Sequence, residues 1–215
     1  MSSDPPHGGP SPADSSESPS ELSLVALLRI RGAPLIDAFE AHDPGSRERA
    51  DAAASYAFAA AVELGLTRPG AELIREVSKL REVGRVYVPK EVLARPAWSR
   101  TGKEAQVETH HELGAKLARG AGIPERVCEW IRLGAERYDG GGPHRLAGEA
   151  IPLQARISRA AYACYGAIKA ASAERVRGAQ ARRGPADALR GSAGRELDPM
   201  VVDALETILI RANSA

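Results

Sequence analysis

The densest concentration of groups able to do chemistry lies between Glu136 and Ala155, in the stretch E-R-Y-D-G-G-G-P-H-R-L-A-G-E-A-I-P-L-Q-A. Glu136, Arg137 and Asp139 lead into three consecutive glycines, Gly140 to Gly142, and then Pro143; His144, Arg145 and Glu149 lead out. Glycine loses too much backbone entropy in a helix and proline removes a donor, so the stretch is a loop. A backbone free to approach a ligand, flanked by groups that bond anions or metals, is the make-up of many sites and equally of many plain turns. Upstream, His110 and His111 offer two adjacent imidazoles. Neighbours on a helix point about 100° apart, and a lone ligand binds no metal tightly, so packing or hydrogen-bonding histidines are expected there. Cys128 and Cys164 match no metal spacing and read as buried free thiols in a reducing compartment.

The elements that must carry these groups are helical. The chain has 215 residues, 43% of them hydrophobic, enough for one sizeable core and a single domain. Aromatics make up only 4%, so that core is built of Ala, Leu, Val and Ile. A formal charge of +1 gives no electrostatic reason to expect a nucleic-acid or membrane-surface partner. The basic run Arg175 to Arg195 has no interleaved aromatic for base stacking and reads as a solvated face. No apolar run is long enough to span a membrane, and no charged-then-apolar leader opens the chain, so a cytoplasmic location is expected.

Residues 1–20 are Ser, Pro, Asp and Gly with few apolar side chains, which predicts a disordered tail. The helical domain is expected over residues 21–215, beginning with two short helices parted at Gly32 and Pro34. Next come helices over Ser46 to Leu64, with Ser46 as N-cap and Gly65 as stop, and over Pro69 to Val83, with Leu73, Ile74, Val77 and Leu80 inward. A one-turn helix near Glu91 precedes helices over Thr101 to Arg119 and Ile123 to Tyr138, the latter opened by Pro124 at its first turn. After the glycine loop, Pro152 to Lys169 and Met200 to Arg211 are helical, the last started by Asp198-Pro199. No strand-period run stands out, and the class is all-α.

The order of short motifs resembles the HD-GYP family. The matching stretches are E-A-H-D-P (Glu40 to Pro44), L-R-E-V-G-R-V-Y-V-P (Leu80 to Pro89), H-H-E-L-G-A (His110 to Ala115), E-R-Y-D-G-G-G-P (Glu136 to Pro143), G-E-A-I-P-L-Q-A-R-I (Gly148 to Ile157) and L-D-P (Leu197 to Pro199). The resemblance covers roughly Leu35 to Ile210. It implies an HD-type helical bundle of the metallophosphohydrolase kind, whose active members are phosphodiesterases of the bacterial second messenger cyclic di-GMP. Such hydrolysis needs two or three cations that clamp phosphoryl oxygens and lower the pKa of a bridging water. About six His and Asp side chains hold them.

Carried over residue by residue, the resemblance places the family's first histidine ligand on Arg49 and its His-Asp pair on Arg81 and Glu82. The later histidine pair falls on Gly134 and Ala135, and a further aspartate on Tyr162. Only His110 keeps a ligand position, and the Gly-Tyr-Pro is reduced to Gly142-Pro143. The substrate-facing lysine appears as Arg85. A guanidinium has no lone pair to donate and stays protonated, so Arg49 and Arg81 would repel a cation. The implied outcome is a cationic hollow of Arg49, Arg81 and Arg85 around Glu82, with no metal and no cofactor. It either takes a phosphate or carboxylate or closes on itself through ion pairs. Arg137 and Asp139 match the family's loop, which Glu136 and Asp139 are expected to pin. Glu82, His110, Glu136 and Asp139 together form a further single-ion candidate.

The favoured expectation is a catalytically inactive signalling module of HD-GYP type. It would act through signalling protein partners or by binding a nucleotide or other anion at Arg49, Arg81, Glu82, Arg85, His110, Arg137 and Asp139. The alternative is a phosphodiesterase of cyclic di-GMP or a related phosphoester that uses a rebuilt metal site.

Overall fold

The computed structural model describes residues 20–93, 110–176 and 184–213, and these residues are helical with no strand among them. The predicted tail, the start of the helix expected from Thr101, and Arg177 to Arg183 of the basic run lie outside the described residues.

Helix α1 runs unbroken from Glu21 to His42, with Pro34 inside it, where two short helices were expected. Leu24, Val25 and Leu28 before the proline and Phe39 after it are all buried. That shared apolar face outweighs the roughly 3 kcal/mol an interior proline costs. Gly32 is a packing residue rather than a break, since a Cβ there would meet Leu80 Cδ2 at 3.1 Å.

Helix α2 (Ser46–Glu63) is capped by Gly45 at φ 85°, which makes Ser46 its first residue instead of its N-cap. The capping oxygens come from Glu40 at the end of α1, which accepts from Gly45 N (2.9 Å), Arg47 N (2.8 Å) and Ser46 Oγ (3.2 Å). Those donors, the backbone of Arg47 first, hold the Glu40 carboxyl below its usual range. The buried face of α2 is almost entirely alanine: Ala50, Ala53, Ala54, Ala57, Ala60 and Ala61. Small side chains let the helices over Arg68–Leu80 and Leu153–Val176 come close. The predicted stop, Gly65, adopts φ 80°.

Helix α3 (Arg68–Leu80) starts at Thr67, whose hydroxyl accepts from Gly70 N, and it belongs to both halves of the core. Leu73, Val77 and Leu80 join α1 and the helices over His110–Gly120 and Glu125–Arg132, while Ala71 and Ile74 join α2 and the helices over Leu153–Val176, Pro185–Arg190 and Pro199–Asn213. It ends at Leu80 rather than Val83, and a 3₁₀ turn over Val83–Tyr87 leads to the short α4 (Lys90–Leu93). The described chain resumes with α5 (His110–Gly120) and α6 (Glu125–Arg132), with Pro124 as the N-cap of α6 rather than inside its first turn. Helix α6 ends six residues before the expected Tyr138, in a 3₁₀ turn over Leu133–Ala135, because Glu136 is extended and turns its carboxylate inward.

The long α7 (Leu153–Val176) passes the predicted end at Lys169, and α8 (Pro185–Arg190) and α9 (Pro199–Asn213) complete the second half of the core. Asp198 starts α9 as expected, accepting from Met200 N at 2.9 Å, and its other oxygen takes the Arg156 guanidinium of α7. Both cysteines are buried and free. Burial pushes the Cys164 thiol up to about 12.

Candidate anion site at the end of helix α3

Because α3 is shared by both halves of the core, its C-terminal end emerges where they meet, and it delivers Arg81 and Glu82 there. The 3₁₀ turn that follows brings Arg85 back toward Glu82. Arg81 Nη1 donates to Glu82 Oε1, and Arg85 Nη1 donates to Oε2 at 2.6 Å. Arg81 also donates through Nη2 to the Gly134 carbonyl at 3.0 Å and lies over the Tyr162 ring, 4.9 Å from its centroid. Burial alone would raise the Glu82 carboxyl, but His110 and the charges of Arg81 and Arg85 hold it well below its usual range.

Helix α5 is pressed against this turn. A Cβ on Gly84 would fall 1.8 Å from the His110 carbonyl oxygen and 2.5 Å from Gly114 N, so glycine is required for the contact. The contact sets His110 Nε2 3.6 Å from Glu82 Oε1. Contrary to the helical-spacing expectation, the His110 and His111 rings converge, with centroids 3.9 Å apart. They do so because His111 folds over Gly134, where a Cβ would already stand 3.4 Å from His111 Nδ1. Burial first, then the charges of Arg81 and His110, hold His111 well below the ordinary imidazole value, so its ring is neutral. Its Nδ1 lies 3.1 Å from the Arg81 carbonyl, which only accepts, and so carries the ring proton.

The arginines expected around Glu82 divide. Arg81 and Arg85 are there, but Arg49 pairs with Asp43, at the start of its own helix pair. Its charge still acts on Tyr162. Arg137 and Asp139 pair with each other in the glycine loop, through Nε (3.0 Å) and Nη2 (2.6 Å), and Asp139 also accepts from Gly141 N at 2.9 Å. Glu136, fully buried, accepts from His144 N (2.8 Å) and Leu146 N (3.1 Å). Glu136 and Asp139 therefore pin the loop through its backbone, as anticipated. A Cβ on Gly142 would lie 2.7 Å from Glu136 Oε2, which explains why glycine stands there.

The helix α7 residue Arg159 was not anticipated, and Tyr162 was known only as the replacement of an aspartate. They sit at i and i+3 on one face of α7, a spacing that was legible in the sequence. Arg159 donates to the Ala135 and Glu196 carbonyls, both at 3.1 Å. Its guanidinium is lowered to about 10, by burial and then by the charge of Arg81. Two hollows meet at Arg159. One, of about 360 Å³, is lined by His110, His111, Arg137 and the loop residues Gly141 to Pro143. The other, of about 320 Å³, is lined by Arg81, Glu82, Tyr162 and Glu196.

Residues 34–201 match the HD domain family. The chain belongs to the HD domain family. This HD domain is 30% identical over 179 residues to the cyclic di-GMP phosphodiesterase response regulator RpfG of Xanthomonas campestris, which covers 80% of this chain and 45% of that protein. It is 28% identical over 144 residues to the 3'3'-cGAMP-specific phosphodiesterase 2 of Vibrio cholerae, covering 64% of this chain and 28% of the relative. The chain thus spans less than half the length of these relatives. Its fold is shared with an HDG"Y"P protein from Bdellovibrio bacteriovorus (TM-score 0.62, 15% identity, 91% of this chain and 74% of that one). It is shared also with the PgpH HD domain of L. monocytogenes in complex with cyclic-di-AMP (TM-score 0.57, 15% identity, 82% and 95%). No helix among the described residues is long and apolar enough to cross a membrane.

The resemblance implies two or three cations, held by about six His and Asp side chains. Among the described residues, Glu82, His110 and His111 form the one group of three donor side chains whose ligand atoms lie within 4.8 Å of one another. Both oxygens of that Glu82 already accept from a guanidinium. These residues do not fit a cluster of two or more divalent ions: the donors are too few, and two fixed positive charges occupy the carboxylate. Arg81 Nε, Arg85 Nε and the Tyr162 hydroxyl are meanwhile buried without a hydrogen-bond partner.

Proposed function

We propose that this HD domain is a non-catalytic signalling module of the cytoplasm that binds the phosphate of a nucleotide between α3, α5 and α7 and passes the bound state to protein partners. The carrying observation is the set of three buried donors without an acceptor, Arg81 Nε, Arg85 Nε and Tyr162 Oη, at a cluster where two guanidiniums face one carboxylate. Burying a donor unmet costs about 1–3 kcal/mol, so three together favour a guest that only accepts and is negative. A phosphodiester is such a guest. Burial holds the Tyr162 hydroxyl far above its usual value, so it keeps its proton to donate. The relatives named as acting on cyclic di-GMP and 3'3'-cGAMP make cyclic dinucleotides the first ligands to try.

Calorimetry with cyclic di-GMP and 3'3'-cGAMP tests the reading, beside a hydrolysis assay with manganese or iron. Binding without turnover is expected, and Arg81→Ala weakens it about tenfold or more, the worth of a charge-assisted bond. Absence of heat with every nucleotide would leave only a protein-contact role.

A second reading rests on the convergence of Glu82, His110 and His111, which could hold a single ion for a phosphodiesterase with a rebuilt site. Stoichiometric metal in the purified protein, with turnover abolished by Glu82→Ala or His110→Ala, would establish it and overturn the first.

A further inference from the structure

Helix α1 is apolar on both of its faces. Leu24, Val25, Leu28 and Phe39 turn into the core. On the opposite side, within a sector of about 120° at 100° per residue, Leu22, Ser23, Ala26, Ile30, Ala33 and Pro34 are exposed, Leu22 at 66% and Ile30 at 72%. A surface helix ordinarily turns charged groups to water, and one that is apolar all round is built to be covered. Residues 1–19, which precede it, hold only Met1, Ala13 and prolines beside polar, charged and glycine residues, too little apolar surface to cover the stripe. We propose that this outer face of α1 is the contact surface of a homodimer, in which α1 packs antiparallel on α1 of a second copy.

The sizes of the side chains select that occupant. Large and small alternate along the stripe at i, i+4, i+8 and i+11: Leu22, Ala26, Ile30 and Ala33. About a two-fold axis at the level of Leu28, antiparallel helices set Ala26 of each copy against Ile30 of the other, and Leu22 against Ala33 and Pro34. Each large side chain then meets a small one, so the stripe is complementary to itself, as an isologous contact requires. A parallel pairing would instead set Ile30 on Ile30 and leave a gap between the two copies of Ala26.

Charge points the same way. The ionised groups beside the stripe are already taken within the chain. Glu21 accepts from the Thr67 hydroxyl at 3.1 Å, Arg29 pairs with Glu72 (3.1 Å) and Glu76 (2.9 Å), and Asp37 pairs with Arg47. The face therefore offers little to an acidic or basic segment, and with a formal charge of +1 two copies scarcely repel one another. The contact is confined to one side of a 22-residue helix, about 33 Å long, and stays below the about 800 Å² per partner of a standard interface. The dimer is thus a weak one.

Sedimentation velocity tests it on the full chain without nucleotide, so the outcome does not depend on what the hollows bind. Between about 1 and about 100 µM the unsubstituted chain should pass from monomer to dimer. Ile30→Ser should weaken association about tenfold or more, with the melting midpoint unchanged, because that side chain is mostly exposed in the monomer. Ala26→Ile sets large against large and should weaken association by about as much. The exchanged pair, Ala26→Ile with Ile30→Ala, again sets one large side chain against one small and should return it to within about threefold of the original. A chain that stays monomeric throughout overturns the proposal, as does a dimer that survives Ile30→Ser. An Ala26→Ile chain that dimerises unimpaired overturns the antiparallel register.

Discussion

Glu82 sits between two guanidiniums with its side chain 12% exposed, and its value to the fold lies less in attraction than in preventing two positive charges from facing one another. Removing one partner of a buried pair costs more than the pair contributes. Glu82→Ala is therefore expected to destabilise the protein by about 3–5 kcal/mol in urea denaturation, whereas Glu82→Gln, which keeps an acceptor, costs distinctly less. A loss under about 0.5 kcal/mol for the alanine variant would mean that Arg81 and Arg85 find other partners. Tyr162→Phe separates binding from folding at the same place. It deletes a buried hydroxyl that has no partner in the protein. Stability should hold or rise slightly, while affinity for a phosphodiester falls about five- to tenfold in calorimetry.

At the scale of elements, what matters most is how closely the turn after α3 approaches α5. Gly84 places backbone against backbone, and a methyl group there would overlap the His110 carbonyl oxygen at 1.8 Å. Neither partner is a flexible side-chain end, so Gly84→Ala must push α5 outward. A cost at or above the usual 1–3 kcal/mol of overpacking is expected, roughly 3 kcal/mol. Ligand affinity should fall with it, because His110 and His111 ride on α5. A control exists in Gly166 on α7, where nothing lies within 4 Å of a Cβ. Gly166→Ala is expected to stabilise by up to about 1 kcal/mol through helix propensity.

Over the whole molecule, the buried ionisable groups make stability depend on pH in one direction. Burial and neighbouring charge hold His111 well below the ordinary imidazole value, and, against its burial, His110 and the charges of Arg81 and Arg85 hold Glu82 well below the usual carboxylate range. For both, the unfolded chain binds more protons than the folded one once pH falls below the ordinary value. Their stabilisation is thus complete at neutral pH, is eroded by His111 below about 6.5 and is eroded further by Glu82 below about 4.5. Urea midpoints measured from neutral to acid pH should fall in two stages, and His111→Gln should flatten the first. We further expect residues 21–215 to fold as one unit, so that removing residues 1–19, which keeps Ser20 as the N-cap of α1, moves the melting midpoint by no more than about 1 °C.

The sequence by itself determined the helical class, most of the helices and the family. Apolar periodicity is local, and so are Gly65 and Asp198 at helix ends and the pair Glu82 and Arg85, three apart on one turn. It also indicated that Glu136 and Asp139 would hold the loop, because their partners lie within ten residues. Pro34 misled it, since a residue's propensity says nothing of the buried face that carries α1 through the proline. Only the tertiary structure decided that Arg49 turns to Asp43, that His111 lies over Gly134, that Arg81 stacks on Tyr162 and that His144 bridges Glu112 and Glu136. Those last three meetings bring together residues of separate elements, His111 and Gly134 23 positions apart, Glu112 and His144 32 apart, and Arg81 and Tyr162 81 apart. Where they meet is set by how closely alanines and glycines let the helices pack, which no local pattern encodes.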